Sequence, residues 1–258
     1  MATLRAALRL TAIALSILIL IACWLLRIPA RLLGERMAVR LRERQMRAWA
    51  RATLAIMGVR VVREGAPPPR PCLLVSNHLS YLDVLVLWSQ TPCSFLAKAE
   101  VARWPVLGLL TRCAGTLYVD RALRTDVART LNSLRARLEL GEGLVIFPEG
   151  TSSPGAAILP FRSSLFEAGA ALGQVWPAAI SYDTGLPARP AHLCVAWWGD
   201  MQFPGHFWNL LKLPRLHARV RFGEQPVRGA DRKVLAAESH AAMLGLFTPT
   251  FPCPDAAS

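Results

Sequence analysis

Short apolar runs alternate along most of the chain with longer stretches in which apolar residues recur at helical spacing. The short runs predict buried strands, and the periodic stretches predict amphipathic helices. The predicted strands are 72–76, 95–98, 116–119, 144–147, 175–181, 193–198 and 218–222. The predicted helices are 81–90, 105–113, 125–140, 163–172 and 231–246. This alternation is typical of an α/β domain, here with a largely parallel or mixed sheet flanked by helices.

The longest apolar run lies near the N-terminus, from Leu10 to Leu26, and contains 17 residues without a charge. As a helix it is about 26 Å long, slightly short of the hydrocarbon core of a bilayer, which is about 30 Å thick. Arginines flank it on both sides. We therefore expect a membrane-anchoring helical segment that spans the bilayer or lies partly inserted; a buried core helix is disfavoured because the run has almost no polar stripe.

A cleaved secretory signal is the main alternative for this segment, because residues 20–23 resemble a bacterial lipoprotein processing site. The apolar run continues past Cys23, however, and eight arginines against two glutamates follow between Arg27 and Arg51. Dense positive charge resists export and stays on the cytoplasmic side of a membrane. We expect an uncleaved anchor in the inner, cytoplasmic membrane, with the rest of the chain on the cytoplasmic side.

The basic segment after the apolar run has the pattern of an amphipathic helix. Arginines recur on one face and apolar residues on the opposite face. The arginines are Arg36, Arg40, Arg44, Arg47 and Arg51, and the apolar residues are Val39, Met46, Trp49, Ala50 and Met57. Two interpretations remain open: a helix that lies at an anionic lipid surface, and a solvated helix packed on the following domain.

Composition and charge exclude several classes of protein. Hydrophobic residues make up 53% of the 258 residues, too large a share for a disordered chain. The formal net charge is +13, but residues 1–70 hold 13 arginines and three glutamates, so the remainder supplies only +3. A nucleic-acid-binding domain needs its basic residues on the folded domain, so we expect no nucleic-acid partner. The six cysteines form no C-x-x-C pair, and we expect no metal site.

Two segments that directly follow predicted strands carry candidate chemistry, since ligands in open α/β sheets bind at the carboxyl ends of strands. The first segment runs from Asn77 to Asp83. His78 and Asp83 would not meet on one continuous helix, but they can meet if the loop ends between them. Ser80-x-x-Asp83 is close to a capping box, which places such a break at Ser80. Asp83 then either orients His78 as a proton acceptor or only caps the helix.

The second segment is Phe147-Pro148-Glu149-Gly150-Thr151. Gly150 permits a positive φ, and the amides of Gly150, Thr151 and Ser152 can form a small anion-binding concavity; an ordinary turn is the alternative. Between the two segments, the predicted strand 116–119 leads to Arg121, whose guanidinium can clamp a phosphate or form a surface ion pair.

In these residues the chain resembles the phospholipid/glycerol acyltransferase family, which includes the 1-acyl-glycerol-3-phosphate acyltransferases. Four blocks match in order over roughly residues 70–182. They are Asn77-His78 with Asp83, Gly115 to Arg121 with Tyr118 in a phenylalanine position, Phe147 to Thr151, and Val175 to Ile180. The resemblance implies an acyltransferase domain at 59–247, between a membrane anchor with the basic helix at 1–58 and a tail at 248–258.

The resemblance also implies a mechanism. His78 would act as general base on the acceptor hydroxyl, with Asp83 orienting it, and the hydroxyl would attack the thioester of acyl-CoA or of an acyl carrier protein. The residues implied to bind substrate are Asn77, Arg121, Glu149, Gly150 and Thr151. Glu149 would orient Arg121 or a glycerol hydroxyl. The implied partners are membrane lipids, the lyso-lipid acceptor and the acyl donor, and no cofactor is implied.

One departure from the family pattern concerns the acceptor. The family commonly has arginine after the residue equivalent to Thr151, but here Ser152 stands there, and Arg162 is a candidate substitute. Residues 158–166 resemble the branch that includes lyso-ornithine-lipid acyltransferases. We expect 1-acyl-glycerol-3-phosphate as acceptor, giving phosphatidic acid, with a lyso-ornithine lipid or another lyso-lipid as the alternative. A non-catalytic lipid-surface protein is the alternative of another class, and the intact His78 and Asp83 disfavour it.

Overall fold

The computed structural model describes residues 1–119 and 124–251. Within these ranges the α-helices are α1 (Ala2–Arg27), α2 (Glu35–Met57), α3 (Leu82–Gln90), α4 (Leu107–Ala114), α5 (Arg124–Glu139), α6 (Glu167–Leu172), α7 (Ala191–Cys194), α8 (Phe203–Leu211) and α9 (Arg232–Leu246). The strands are β1 (Val59–Glu64), β2 (Cys72–Ser76), β3 (Ser94–Lys98), β4 (Leu117–Val119), β5 (Gly143–Ile146), β6 (Gln174–Asp183), β7 (Leu216–Phe222) and β8 (Val227–Arg228). Short 3-10 helices occupy Ile28–Leu33, Ala99–Arg103 and Ser163–Phe166.

The strands form one mixed sheet in the order β1-β7-β6-β2-β5-β3-β4, with β8 beside β6. β6 runs antiparallel to β7 and to β8, and the other neighbouring pairs are parallel. The predicted α/β fold with a largely parallel or mixed sheet is therefore confirmed. Because β2 is parallel to both of its neighbours, β5 and β6, the carboxyl ends of all three strands meet at one edge of the sheet.

The central strand β2 is covered on both faces. Leu74 belongs to the hydrophobic cluster that the sheet forms with α1, α2, α3 and α8. Leu73 and Val75 belong to the cluster on the other face, formed with α5, α6 and α9. All residues of β2 are buried, as expected of a parallel strand between two layers of helices. This burial explains why residues 72–75 are continuously apolar instead of alternating with polar residues.

Helix α1 extends the predicted apolar run at both ends. Its length and composition would allow it to cross a membrane, and only one stripe of it, formed by Ala6, Ile13 and Leu20, is buried against the rest of the chain. The opposite face is apolar and exposed; it consists of Leu4, Leu8, Leu15, Leu18, Ile19 and Leu26. We call these six residues the apolar face of α1.

Both ends of α1 are attached to the α/β domain by hydrogen bonds. Arg9 donates to the carbonyl oxygens of Leu211 and Leu213, at the end of α8. Arg27 donates to the carbonyl oxygen of Cys113, at the end of α4. Arginines placed there satisfy carbonyl groups that have no partner within their own helix. Helix α1 therefore lies along the domain surface and does not project from it.

Helix α2 packs on the domain through its predicted apolar face. Val39, Met46 and Ala50 are buried. On the arginine face, Arg47 and Arg51 donate to the carbonyl oxygen of Ser89, near the end of α3. The arginines at positions 36, 40 and 44 are exposed. The boundary expected at residue 58 stays a prediction, although α2 and the sheet contribute to the same hydrophobic cluster.

The apolar run 193–198 does not form the predicted strand. Helix α7 ends at Cys194, and the following Val195 and Ala196 are fully buried in an irregular segment. The Trp197 N–H then donates to the carbonyl oxygen of Leu79 at 2.8 Å. The apolar character of this run therefore reflects its position beneath the loop after β2, and not pairing in the sheet.

The beginning of the predicted tail is held on the domain. The Thr250 N–H donates to the carbonyl oxygen of Gly155 at 2.7 Å. The Phe251 ring lies beside the imidazole of His192, with the ring centroids 4.1 Å apart. Residues 252–258 lie outside the described part of the chain.

Candidate active site

Asn77 follows β2 and continues the sheet with its side chain. The backbone pairing of β2 with β6 ends where Ser76 faces Ala178. Beyond that point the Asn77 amide nitrogen donates to the carbonyl oxygen of Ile180 at 3.0 Å, and its amide oxygen accepts the Ile180 N–H at 2.7 Å. Because the side-chain amide copies a peptide group, the backbone can leave the sheet here and begin the next loop. Asn77 is buried, so it holds this loop, which is a different contact from the implied one with substrate.

His78 lies in that loop and Asp83 in the first turn of α3, as the spacing predicts. The imidazole Nδ1 is 2.7 Å from the carboxylate Oδ2. The same oxygen accepts the N–H groups of Leu79 at 2.7 Å and of Ser80 at 2.9 Å. Asp83 is fully buried, whereas the side chain of His78 is 24% exposed. The imidazole is therefore fixed on its Nδ1 side and remains accessible to solvent.

Only half of the predicted capping box forms. The Asp83 carboxylate accepts the Ser80 N–H, which is the reciprocal bond of such a box. The Ser80 hydroxyl has no hydrogen-bond partner among the described residues, and α3 begins at Leu82 with Tyr81 as its N-cap residue. The carboxylate thus fixes the loop and contacts the imidazole at the same time.

The surroundings of Asp83 determine which imidazole nitrogen is basic. Oδ2 already accepts two backbone N–H groups, so a proton on Nδ1 of His78 completes its set of donors. The free electron pair is then on Nε2, which makes no hydrogen bond to the described part of the chain. The Phe147 ring stacks on the imidazole with centroids 4.2 Å apart and restrains its rotation. This arrangement can accept a proton at Nε2 from a bound hydroxyl.

Sequence reasoning missed a second contact of Asp83. The Tyr182 hydroxyl donates to Oδ1 of Asp83 at 2.6 Å. Tyr182 lies on β6, two residues after Ile180 and on the same face of the strand. The sequence holds one indication of this contact, because Tyr182 comes two residues after the fourth matched block. The partner strand could not be identified without the sheet order.

Glu149 lies buried behind the loop. One carboxylate oxygen accepts the His78 N–H at 2.9 Å, and the other accepts the Leu159 N–H at 3.3 Å. Burial raises the pKa of Glu149 to about 8, because the loss of solvation outweighs the two N–H donors, which lower it. Glu149 therefore joins the turn after β5 to the loop of His78. This contact differs from the implied one with Arg121 or a glycerol hydroxyl, which stays a prediction.

The structure of the turn after β5 corrects the prediction that the amides of Gly150, Thr151 and Ser152 together form an anion-binding concavity. The Gly150 N–H donates to the carbonyl oxygen of Phe147 at 3.1 Å, so it is not free to bind an anion. Gly150 has a φ of +73°, and a Cβ built there would lie 2.8 Å from Nε of Arg162. Glycine is therefore needed both for the turn and for the close approach of the guanidinium. Thr151 follows at the exposed surface.

Ser152 and Arg121 are the remaining positions that bear on the acceptor. The Ser152 hydroxyl donates to the carbonyl oxygen of Trp197, so this side chain is already bonded within the protein. Arg121, the predicted phosphate clamp, lies outside the described residues.

Comparisons with known proteins identify the family. Residues 58–181 match the family model described as Acyltransferase. The chain is 36% identical over 220 residues to a lyso-ornithine lipid O-acyltransferase of Pseudomonas aeruginosa, covering 82% of each protein. The chain belongs to the lysophospholipid acyltransferase family. It is thus an acyltransferase, as the four sequence blocks predict.

Other relatives carry two different names. A lyso-ornithine lipid O-acyltransferase of Rhizobium meliloti is 37% identical over 190 residues, which are 69% of this chain and 65% of that protein. A 1-acyl-sn-glycerol-3-phosphate acyltransferase of Neisseria meningitidis is 32% identical over 187 residues, which are 70% of this chain and 71% of that protein.

The fold matches that of a solved structure. The crystal structure of the 1-acyl-sn-glycerophosphate acyltransferase PlsC from Thermotoga maritima superposes with a TM-score of 0.66 over 95% of both chains, at 17% sequence identity. This likeness confirms the architecture, including the helices before the sheet.

Proposed function

We propose that this protein transfers a fatty acyl group from an acyl thioester to the free hydroxyl of a lyso-lipid, with His78 as general base. The observation that supports this proposal most strongly is the contact of Nδ1 with the buried Asp83, which leaves the free electron pair on Nε2 of a partly exposed imidazole. General-base assistance of this kind contributes about 10²- to 10⁴-fold to a rate.

The transfer proceeds by direct attack. The acceptor oxygen bonds to the thioester carbonyl carbon while its proton moves to Nε2 of His78. Asp83 stabilises the imidazolium that results. The C–S bond then breaks, and the departing thiolate takes the proton from Nε2. No acyl-enzyme is needed, and burial raises the pKa of the Cys72 thiol to about 12, which makes it a poor nucleophile.

The acceptor is a lyso-ornithine lipid. Relatives with this name align at 34–38% identity, against 32% for the 1-acyl-sn-glycerol-3-phosphate acyltransferase of Neisseria meningitidis. Ser152 stands in the position of the usual arginine, and its hydroxyl is bonded to Trp197. Arg162 beside Gly150 offers one cation for the carboxylate of an ornithine head group. The motifs alone favour 1-acyl-glycerol-3-phosphate as acceptor, so this proposal replaces that expectation.

A second candidate acceptor is 1-acyl-glycerol-3-phosphate. The block from Phe147 to Thr151 is intact, and Arg121 is present in the third matched position of its block. The relative from Neisseria meningitidis covers 70% of the chain. An enzyme for this acceptor would release phosphatidic acid.

The membrane contact is the apolar face of α1. Both ends of the helix are bonded to the domain, which favours a helix inserted parallel to the surface over one that spans the bilayer. The exposed arginines of α2 add attraction to anionic lipids. By the positive-inside rule this surface is the cytoplasmic face of the inner membrane.

An acceptor panel tests the proposal. The full chain in lipid vesicles is given acyl-CoA or acyl carrier protein with lyso-ornithine lipid, 1-acyl-glycerol-3-phosphate or lysophosphatidylethanolamine, and products are identified by mass. We expect the diacylated ornithine lipid to form fastest. Faster formation of phosphatidic acid would favour the second candidate. Binding of lyso-lipids without any product would mean a lipid-binding protein instead.

A further inference from the structure

Tyr182 occupies a buried position between β6 and the first turn of α3. Its side chain is 3% exposed, and its hydroxyl reaches Oδ1 of Asp83 at 2.6 Å. The same strand contacts the catalytic loop a second time, through the bonds of Ile180 to Asn77. β6 therefore fixes both the beginning of the loop and the carboxylate that orients His78.

The two oxygens of Asp83 are held very differently. Oδ2 accepts three hydrogen bonds, from the imidazole of His78 and from the N–H groups of Leu79 and Ser80. Oδ1 has one partner among the described residues, the hydroxyl of Tyr182. Burial raises the pKa of Tyr182 well above its ordinary value, so this hydroxyl stays protonated and donates.

We propose that Tyr182 is a positioning residue for acyl transfer, acting through Asp83 to keep the His78 imidazole oriented and its partner carboxylate ionised. The inference rests on the proposed role of His78 as general base. It is independent of which lyso-lipid is the acceptor, because Tyr182 contacts Asp83 and not the surface where a head group would bind.

The proposal predicts the direction of a pH effect. Without the hydroxyl, the buried carboxylate loses one hydrogen-bond donor. The loss destabilises the ionised carboxylate more when the imidazole is neutral than when the imidazole is protonated. The His78–Asp83 pair, treated as a unit, therefore takes up a proton at higher pH. The acid limb of the kcat/KM profile should move to higher pH. A side chain that only fills space would lower kcat/KM equally at every pH.

Three other titratable groups must be considered around this pair. Glu149, in the turn after β5, contacts His78 and interacts with the charge of Asp83. Tyr182, on β6, contacts the carboxylate, and Tyr81, at the start of α3, interacts electrostatically with Tyr182. Glu149 and Tyr81 are unchanged in a Tyr182 variant, so a difference between the two profiles reports on the hydroxyl of Tyr182.

The test compares Tyr182→Phe with Tyr81→Phe as a matched control. Tyr81 is also a largely buried tyrosine, but its hydroxyl pairs with Nδ1 of His206 at 3.0 Å and not with Asp83. We expect Tyr182→Phe to lower kcat/KM about 10- to 100-fold, as for loss of a hydrogen bond to a charged group, and to move the acid limb upward. We expect Tyr81→Phe to leave the acid limb where it is.

A double variant supplies a second test beside the pH profile. If Tyr182 acts through Asp83, the losses in Asp83→Asn and Tyr182→Phe should not multiply in the double variant. Multiplicative losses, an unmoved acid limb, or unchanged kcat/KM in Tyr182→Phe would each overturn the inference. Retained activity in His78→Ala would instead overturn the proposed function, so the two failures can be told apart.

Discussion

Replacing Asp83 by asparagine changes one atom of the buried carboxylate and has a result that depends on the loop geometry. In an isolated imidazole–carboxylate pair, an amide can turn its NH₂ group toward the imidazole and stabilise the wrong tautomer, which costs about 10⁴-fold in serine proteases. Here the Oδ2 position accepts N–H groups from Leu79 and Ser80 as well as from His78. An NH₂ group in that position would face two donors.

The asparagine oxygen should therefore occupy the Oδ2 position, and the NH₂ group should face the Tyr182 hydroxyl, which can accept as well as donate. The tautomer of His78 is then preserved, and only the negative charge is lost. Removing a charge-assisted hydrogen bond costs about 1.5–3 kcal/mol, or about 10- to 150-fold in kcat. Asp83→Asn should thus retain far more activity than a variant with the wrong tautomer.

The assay is steady-state acyl transfer by the purified variant, combined with nitrogen NMR of labelled histidine to read the tautomer of His78. Asp83→Ala is the matched control, because it leaves the N–H groups of Leu79 and Ser80 without their acceptor. We expect Asp83→Asn to be the more active and the more stable of the two. A loss near 10⁴-fold in Asp83→Asn, with the proton on Nε2, would refute this reasoning.

Three further predictions follow from other parts of the structure. Because burial raises the pKa of Glu149 from 4.5 to about 8, the folded state retains a proton that the unfolded state releases. The contribution of Glu149 to the free energy of unfolding should be fully present below about pH 4.5 and be lost as the pH rises through 8. Glu149→Gln should flatten this decline when the free energy of unfolding is measured in urea at several pH values. Leu18→Asp on the apolar face of α1 should weaken vesicle flotation more than about tenfold, whereas Leu244→Asp on the exposed face of α9 should not; equal effects would contradict the membrane role of α1. Ser152→Arg should raise the use of 1-acyl-glycerol-3-phosphate relative to lyso-ornithine lipid, read from product masses, and an unchanged ratio would mean that residue 152 does not contact the head group.

The elements that the sequence predicted well are those whose burial is decided by a single pattern. The run 72–76 coincides with β2, whose residues 72–75 are all apolar because the strand is covered on both faces. The run 193–198 has the same apolar character but is buried in an irregular segment below the loop of His78. An apolar run of this length indicates that the segment is buried. Whether it also forms a strand depends on the presence of neighbouring strands with which it can pair.

The edge strand β1 was missed for a related reason. Its sequence, Val59–Glu64, contains three valines and three charged residues and follows a basic helix, so it resembles a continuation of that segment. Its pairing with β7 joins residues that are far apart in sequence. Such pairing cannot be read from a local pattern.

The candidate site was predictable where neighbouring residues form it. The spacing of His78 and Asp83, with a helix start between them, predicts their contact. The contacts of Asn77 with Ile180 and of Tyr182 with Asp83 span 103 and 99 residues, and they depend on β6 lying beside β2. The carboxylate of Glu149 was expected at the head group but bonds to the backbone of the same loop. Long-range strand order decides these roles.

Turnover by His78→Ala tests the central claim most directly. The variant is compared with His217→Ala, which removes an imidazole outside the loop of His78, on β7 opposite Asp183. The two variants are compared only if each has the same melting temperature as the unaltered protein. With the best acceptor of the panel, we predict that His78→Ala lowers kcat by about 10²- to 10⁴-fold while His217→Ala leaves it unchanged. A His78→Ala variant whose kcat stays within about threefold of the unaltered protein would contradict general-base catalysis by this residue.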